Sequence, residues 1–204
     1  MKKIVLVCFL ISITSISKAH SGYHLVNTLH IPSPGRWDYI AVSPIGDNLY
    51  VSHQTQVNIV NKNTGDSTGV HGIAFAREFN KGYISNGKLN NLTVFNLKTN
   101  ETIGNVVTGE NPDAIMYDDF TKRIYVCNGK SKDLTIIDPK DNKVIKTVFL
   151  DGKPETAVSN NSGLIYINVE DKNEIVVVDA KTFAIRNRWK TGKGEEPSGL
   201  SIDT

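Results

Sequence analysis

Several side chains able to do chemistry stand at related positions along this chain. Asp113 and Glu155 lie 42 residues apart and open the similar segments DAIMY and ETAVS. Asp38 opens DYIAV, directly after Arg36 and Trp37, and His71 opens HGIAF. Glu196 stands just before a further segment of this kind, SGLSI. A second set goes with another repeated pentapeptide. His53 ends LYVSH, Asn86 ends GYISN, Asn128 ends IYVCN, and Glu170 follows IYINV. Gathered in one place, these residues make a mouth of carboxylates, two imidazoles and one large aromatic ring. Such a mouth suits a cation, a polyamine or a basic peptide loop. His53, His71 and Asp38 could also hold a transition metal. The plainer alternative is a solvated rim of loop residues.

Motifs for covalent or cofactor chemistry do not stand out. The chain has no H-E-x-x-H and no glycine-rich phosphate loop. Ser85-Asn86-Gly87-Lys88 formally matches S-x-x-K, but Asn128-Gly129-Lys130 repeats it at the same place in the next unit. NGK therefore reads as turn chemistry. Asn91-Leu92-Thr93 and Asn160-Asn161-Ser162 match the glycosylation pattern, a short motif that carries little meaning by itself. The expected role is binding or scaffolding without catalysis or a cofactor, through a protein or small-molecule partner. One alternative is metal or small-molecule handling, with or without a reaction, through the acidic and histidine mouth. Another is nucleic-acid binding, which needs Arg36, Lys88, Lys130 and Lys172 to cluster and overcome the carboxylates.

The elements that position these residues repeat as well. LYVSH, GYISN, IYVCN and IYINV are each followed by a second apolar run: VNIVN at 57–61, TVFN at 93–96, TIID at 135–138 and VVVD at 176–179. Each is preceded by one of the segments that the charged residues open. The step between units is about 42 residues, the spacing of a four-stranded propeller blade. The runs are short, β-branched and aromatic, with turn residues between them. The first three strands of a unit are almost continuously apolar, as befits a sheet covered on both faces. The fourth alternates: Ile185, Asn187 and Trp189 on one side, Arg186, Arg188 and Lys190 on the other. The fold class is therefore all-β, a β-propeller with blades near 36–69, 70–109, 110–152 and 153–194 and the start of a fifth at 195–204. A β-sandwich is the rival, but it requires no regular period. Asn61, Asn96, Asp138 and Asp179 close the third strands and are expected to accept backbone N–H groups of the turns that follow.

The beginning of the chain is different. Lys2 and Lys3 precede an apolar run from Ile4 to Ile16, and Ser17-Lys18-Ala19 offers small residues for cleavage. Residues 1–19 read as a secretory signal peptide, cut after Ala19. The run is too short to span a bilayer, and no membrane span is expected after cleavage. Periplasmic or secreted localisation follows. Without Lys2, Lys3 and Lys18, the 23 basic residues fall just below the 21 acidic ones. This removes the general electrostatic case for nucleic acid. Cys127 is the one cysteine left after cleavage, expected to be a buried and inert thiol, and no internal disulfide can form. Charged residues at 22% and hydrophobic residues at 39% suit a globular domain of residues 20–204.

The tetrapeptides YVSH, YISN, YVCN and YINV resemble the signature of YVTN-type β-propeller repeats. The line from GRWDYIAV through GVHGIAF, NPDAIMYDD, NGKSKDLTIID, GKPETAV and NVEDKNEIVVVDA to EEPSGL is similar to the YncE-like exported propellers. The resemblance implies a seven-bladed ring in a bacterial periplasm or outside the cell, and it implies no reaction. Such a ring needs on the order of 300 residues, so this chain reads as a piece of about four blades. YHLVNTLHIPSPG resembles the outer-strand segment KVIKTVFLDGKPE and is expected to be an orphan fourth strand. Blade one, 33 residues from Asp38 to His71, is expected to have three strands.

Overall fold

The computed structural model describes residues 25, 26, 28, 37–53, 56–61 and 72–203. The expected signal peptide, residues 1–19, lies outside the described residues. So do the region between Gly65 and His71 and most of the strand expected over His24–Ile31. The described chain forms fifteen strands. β1 (Trp37–Val42), β2 (Asn48–His53) and β3 (Gln56–Asn61) make the first sheet. β4 (Ile73–Ala76), β5 (Lys81–Asn86), β6 (Asn91–Asn96) and β7 (Thr102–Val107) make the second. β8 (Pro112–Asp118), β9 (Arg123–Asn128), β10 (Asp133–Asp138) and β11 (Lys143–Phe149) make the third. β12 (Pro154–Ser159), β13 (Leu164–Val169), β14 (Glu174–Asp179) and β15 (Ile185–Lys190) make the fourth.

Each sheet is an antiparallel meander in sequence order. Sheets stack face to face, and their first strands run side by side from β1 to β4 to β8 to β12. This is the arrangement of propeller blades around an axis, and the chain is a partial β-propeller. The all-β expectation and the blade period hold. Three strands of the first blade are described, and the segment between Asn61 and Gly72 lies outside the described residues.

Burial shows why the strands read as they do. β9 and β10 are buried along most of their length, being covered on both faces by neighbouring blades. β15 is exposed throughout, as an outer strand must be. The apolar contacts form one cluster per junction. Tyr50, Phe75 and Phe95 join blades one and two. Tyr83, Leu92 and Val94 meet Ile124, Val126 and Ile137 between blades two and three. Tyr125, Cys127, Leu134 and Ile136 meet Ile165, Ile167, Val176 and Val178 between blades three and four. Cys127 is fully buried there, and burial pushes its thiol far above the usual range.

The turns from third to fourth strands repeat in detail. Asp138 accepts the N–H of Lys140 at 2.8 Å. Asp179 accepts those of Lys181 and Thr182 at 3.0 and 2.8 Å, and Asn96 those of Lys98 and Thr99 at 2.8 and 3.2 Å. Asn100, Asn142 and Phe183 then take left-handed backbone with φ near 60°, and each hairpin carries a bulge next to the turn. The expected turn role therefore holds for Asn96, Asp138 and Asp179. The Asn61 side chain lies outside the described residues.

Candidate functional site

The loops leading into the first strands and the loops between second and third strands share one end of the molecule. The hydrogen bonds that join them recur from blade to blade. Asn90 accepts the N–H of Asn111 at 2.9 Å, Asp171 accepts that of Lys153 at 2.7 Å, and Asn173 accepts that of Glu196 at 2.8 Å. The segments entering β8 and β12, and the loop of Glu196, are thereby held to the second-to-third loops at this end.

Three of the expected carboxylates meet electrostatically across three blades. Asp113 is partly buried, and its carboxyl is raised to about 6, first by loss of water and then by the negative charges of Glu155 and Asp38. Glu170 adds to this, while Lys153 opposes it. Lys153 pairs with Glu155 at 3.3 Å and also contacts Glu170. Its ammonium is held above the usual range, chiefly by the bond to Glu170. Two carboxylates therefore share one lysine, and Asp38 and Asp113 add further negative charge nearby.

Tyr39 lies at the centre of the group. Burial raises its hydroxyl above the ordinary phenol value, followed in order by the charges of Asp113, Asp38 and Glu155. Thr156 of blade four lines the hollow in which the ring stands. The residue is anchored by its own N–H, which Ser52 Oγ accepts at 2.6 Å. A phenol from blade one thus reaches the first strand of blade four, across the axis. The hollow around it is lined by Tyr39, Ile73, Ala114, Ile115 and Ala157. The site is an apolar waist with an aromatic ring and a rim of carboxylates. It can hold an ammonium or guanidinium group whose apolar stem lies in the waist.

The other expected residues sort differently. Trp37 is 46% exposed at the head of β1, and Glu196 is exposed on its loop. Asn86 turns its amide back onto Asn91 and Thr93 at 2.7 and 2.9 Å. Asn128 is a correction. It is fully buried, and its amide donates to Asp133 and Thr135 at 2.6 and 2.8 Å, tying β9 to β10. It is therefore a strand clamp and does not line the mouth. Arg36, His71 and the His53 side chain lie outside the described residues, which leaves the histidine pair of the metal alternative there as well. Among the described residues no three of His, Cys, Asp and Glu converge as metal ligands.

Sequence reasoning missed Lys153 and Tyr39. Lys153 stands before Pro154 just as Asn111 stands before Pro112 and Glu196 before Pro197, so the repeat itself could have flagged it. Tyr39 aligns with Gly72, Ala114 and Thr156. One large ring among small residues is the signal of a side chain that fills the axis.

No family model matches the chain, and no characterised protein matches it in sequence. Solved structures match its fold. Hydrazine synthase of Kuenenia stuttgartiensis superposes with a TM-score of 0.67 at 18% identity, over 82% of this chain and 52% of that one. The Pan2 WD40 domain of Neurospora crassa gives 0.63 at 14% identity, over 76% and 50%. A protein of unknown function from Bacteroides caccae gives 0.58 at 14% identity, over 78% and 63%. The chain thus spans about half the length of the first two. At these identities the likeness is one of fold, and it agrees with a partial propeller.

Proposed function

We propose that this chain is a non-enzymatic binding or scaffolding propeller that takes a cationic group at its axial mouth. One observation carries the reading: the Tyr39 ring of blade one stands in a hollow lined by Ala114, Ile115, Thr156 and Ala157 of blades three and four, where Asp38, Asp113 and Glu155 open the same three first strands. The preferred partner presents a lysine or arginine side chain on a loop, or is itself a polyamine. Its charge meets the rim and its methylenes meet the apolar waist. The leader-like first 19 residues support export to the periplasm or beyond. The YVTN-like tetrapeptides support membership of the exported YncE-like propellers.

Calorimetric titration of the chain with spermine and with a short oligolysine, at low and moderate salt, tests the reading. Saturable binding that weakens with salt and drops severalfold in Asp113→Asn and Glu155→Gln supports it. Binding that neither substitution alters, or no saturable binding at all, contradicts it.

A further inference from the structure

A cation of the chain itself already sits among the carboxylates of the mouth. Lys153 Nζ contacts Glu170 and lies 3.3 Å from Glu155 Oε1. Its backbone is clamped on both sides. Its N–H donates to Asp171 Oδ1 at 2.7 Å, and its carbonyl accepts the N–H of Glu170 at 2.9 Å. Pro154 follows and restricts Lys153 to extended backbone. The stem passes beside Gly129 of blade three, where an added Cβ would lie 3.5 Å from Lys153 Cε and 3.7 Å from its Cγ. A short, anchored arm thus delivers the ammonium to one place.

The lysine is more open to solvent than the acids it pairs. Its side chain is 38% exposed, against 19% for Glu155 and 25% for Glu170. Neighbouring lysines at this end are engaged elsewhere: Lys130 with Glu110 at 2.7 Å, Lys132 with Asp171 at 2.7 Å and Lys172 with Asp151 at 3.6 Å. Asp113 feels the same ammonium. Burial, and then the charges of Glu155 and Asp38, raise its carboxyl, and Lys153 only partly offsets them. One ammonium therefore answers several acids, and the mouth keeps an excess of negative charge.

We infer that Lys153 is the resident occupant of the mouth and sets its specificity, so that a guest must bring at least two cationic groups, as a polyamine or a segment with adjacent lysines or arginines does. This rests on the cation-binding reading proposed above. A guest with one ammonium merely exchanges one ion pair for another. It competes with an arm whose tether holds it at an effective concentration of roughly millimolar. A guest with two cations gains a pair in the exchange. One replaces Lys153 at Glu155 and Glu170, and the other faces Asp113 and Asp38. The lysine then turns out to solvent, where water takes up its charge.

The test titrates spermine and propylamine into the parent chain, Lys153→Met and Lys153→Arg. Methionine keeps an apolar stem without the charge, and arginine keeps a resident cation. The parent should bind spermine and not propylamine. Lys153→Met should bind spermine severalfold more tightly, on the scale of one exposed ion pair, and should gain binding of propylamine. Lys153→Arg should stay close to the parent. A second readout needs no variant. Acetylation of Lys153 by an N-hydroxysuccinimide ester, followed by mass spectrometry, should become faster when the parent is saturated with N-acetyl-triarginine amide, because the guest releases the lysine. Unchanged or weaker spermine binding in Lys153→Met, parent binding of propylamine as tight as that of spermine, or slower labelling of Lys153 under the guest overturns the inference. If Asp113→Asn and Glu155→Gln still weaken spermine binding in that case, the cation-binding reading stands without it. No saturable binding to any of the three chains overturns both.

Discussion

Single polar atoms fix the joints of this molecule. The Tyr83 hydroxyl lies between blades two and three and donates to an Asn142 oxygen that also receives Lys81 at 3.1 Å. Tyr83→Phe should cost about 1 kcal/mol in urea unfolding, because the retained lysine spares Asn142 from being left unpaired. Asp179 makes a different contribution. The backbone N–H of Thr182, and then the Arg186 guanidinium, hold its carboxyl well below the usual carboxylate range. Since its folded value is depressed, it contributes stability above the ordinary value near pH 4, and that stability is lost as pH falls through the folded value. An acid titration of unfolding should therefore be shallower below pH 4 in Asp179→Asn than in the parent. The turn role of Asp179 was legible because it recurs at the end of every third strand. The reach of Tyr39 across the axis was not, since no sequence pattern states which side chain fills a hollow left by glycine and alanine.

At the scale of elements, pairing explains both a success and an error of the sequence reading. Strand order follows from apolar runs bounded by turn residues, and the structure keeps it. Asn128 looked like a mouth residue because it ends a strand at the mouth. It instead faces β10, where Asp133 and Thr135 take up its amide. Asn86 does the same with Asn91 and Thr93. The pair of acceptors, spaced two apart on the next strand, recurs in both blades and was a readable signal. The β5–β6 pair holds the sharpest local constraint. Gly82 lies opposite Phe95, and a Cβ there would come within 2.1 Å of the Phe95 ring. That ring also packs against Tyr50, with centres 5.7 Å apart. Gly82→Val should therefore push Phe95 into the first junction and destabilise the chain by about 1–3 kcal/mol in chemical denaturation.

For the whole molecule, the mouth exists only because blades stack. Asp38, Asp113 and Glu155 come from blades one, three and four, and no single blade brings them together. Their convergence was legible from the repeat, which places them at one position of successive units. Its charge was less so, because Lys153 enters between Glu155 and Glu170 and tempers the acidity. The direct measurement is the pH titration of the Asp113 side-chain carboxyl by carbon NMR, in the parent chain and in Asp38→Asn and Glu155→Gln. A midpoint of about 6 is expected in the parent, moving toward the ordinary carboxylate value in either variant and further in Glu155→Gln, while burial keeps both somewhat raised. A parent midpoint near 4, or one that neither substitution moves, would mean that the three blades do not share a mouth.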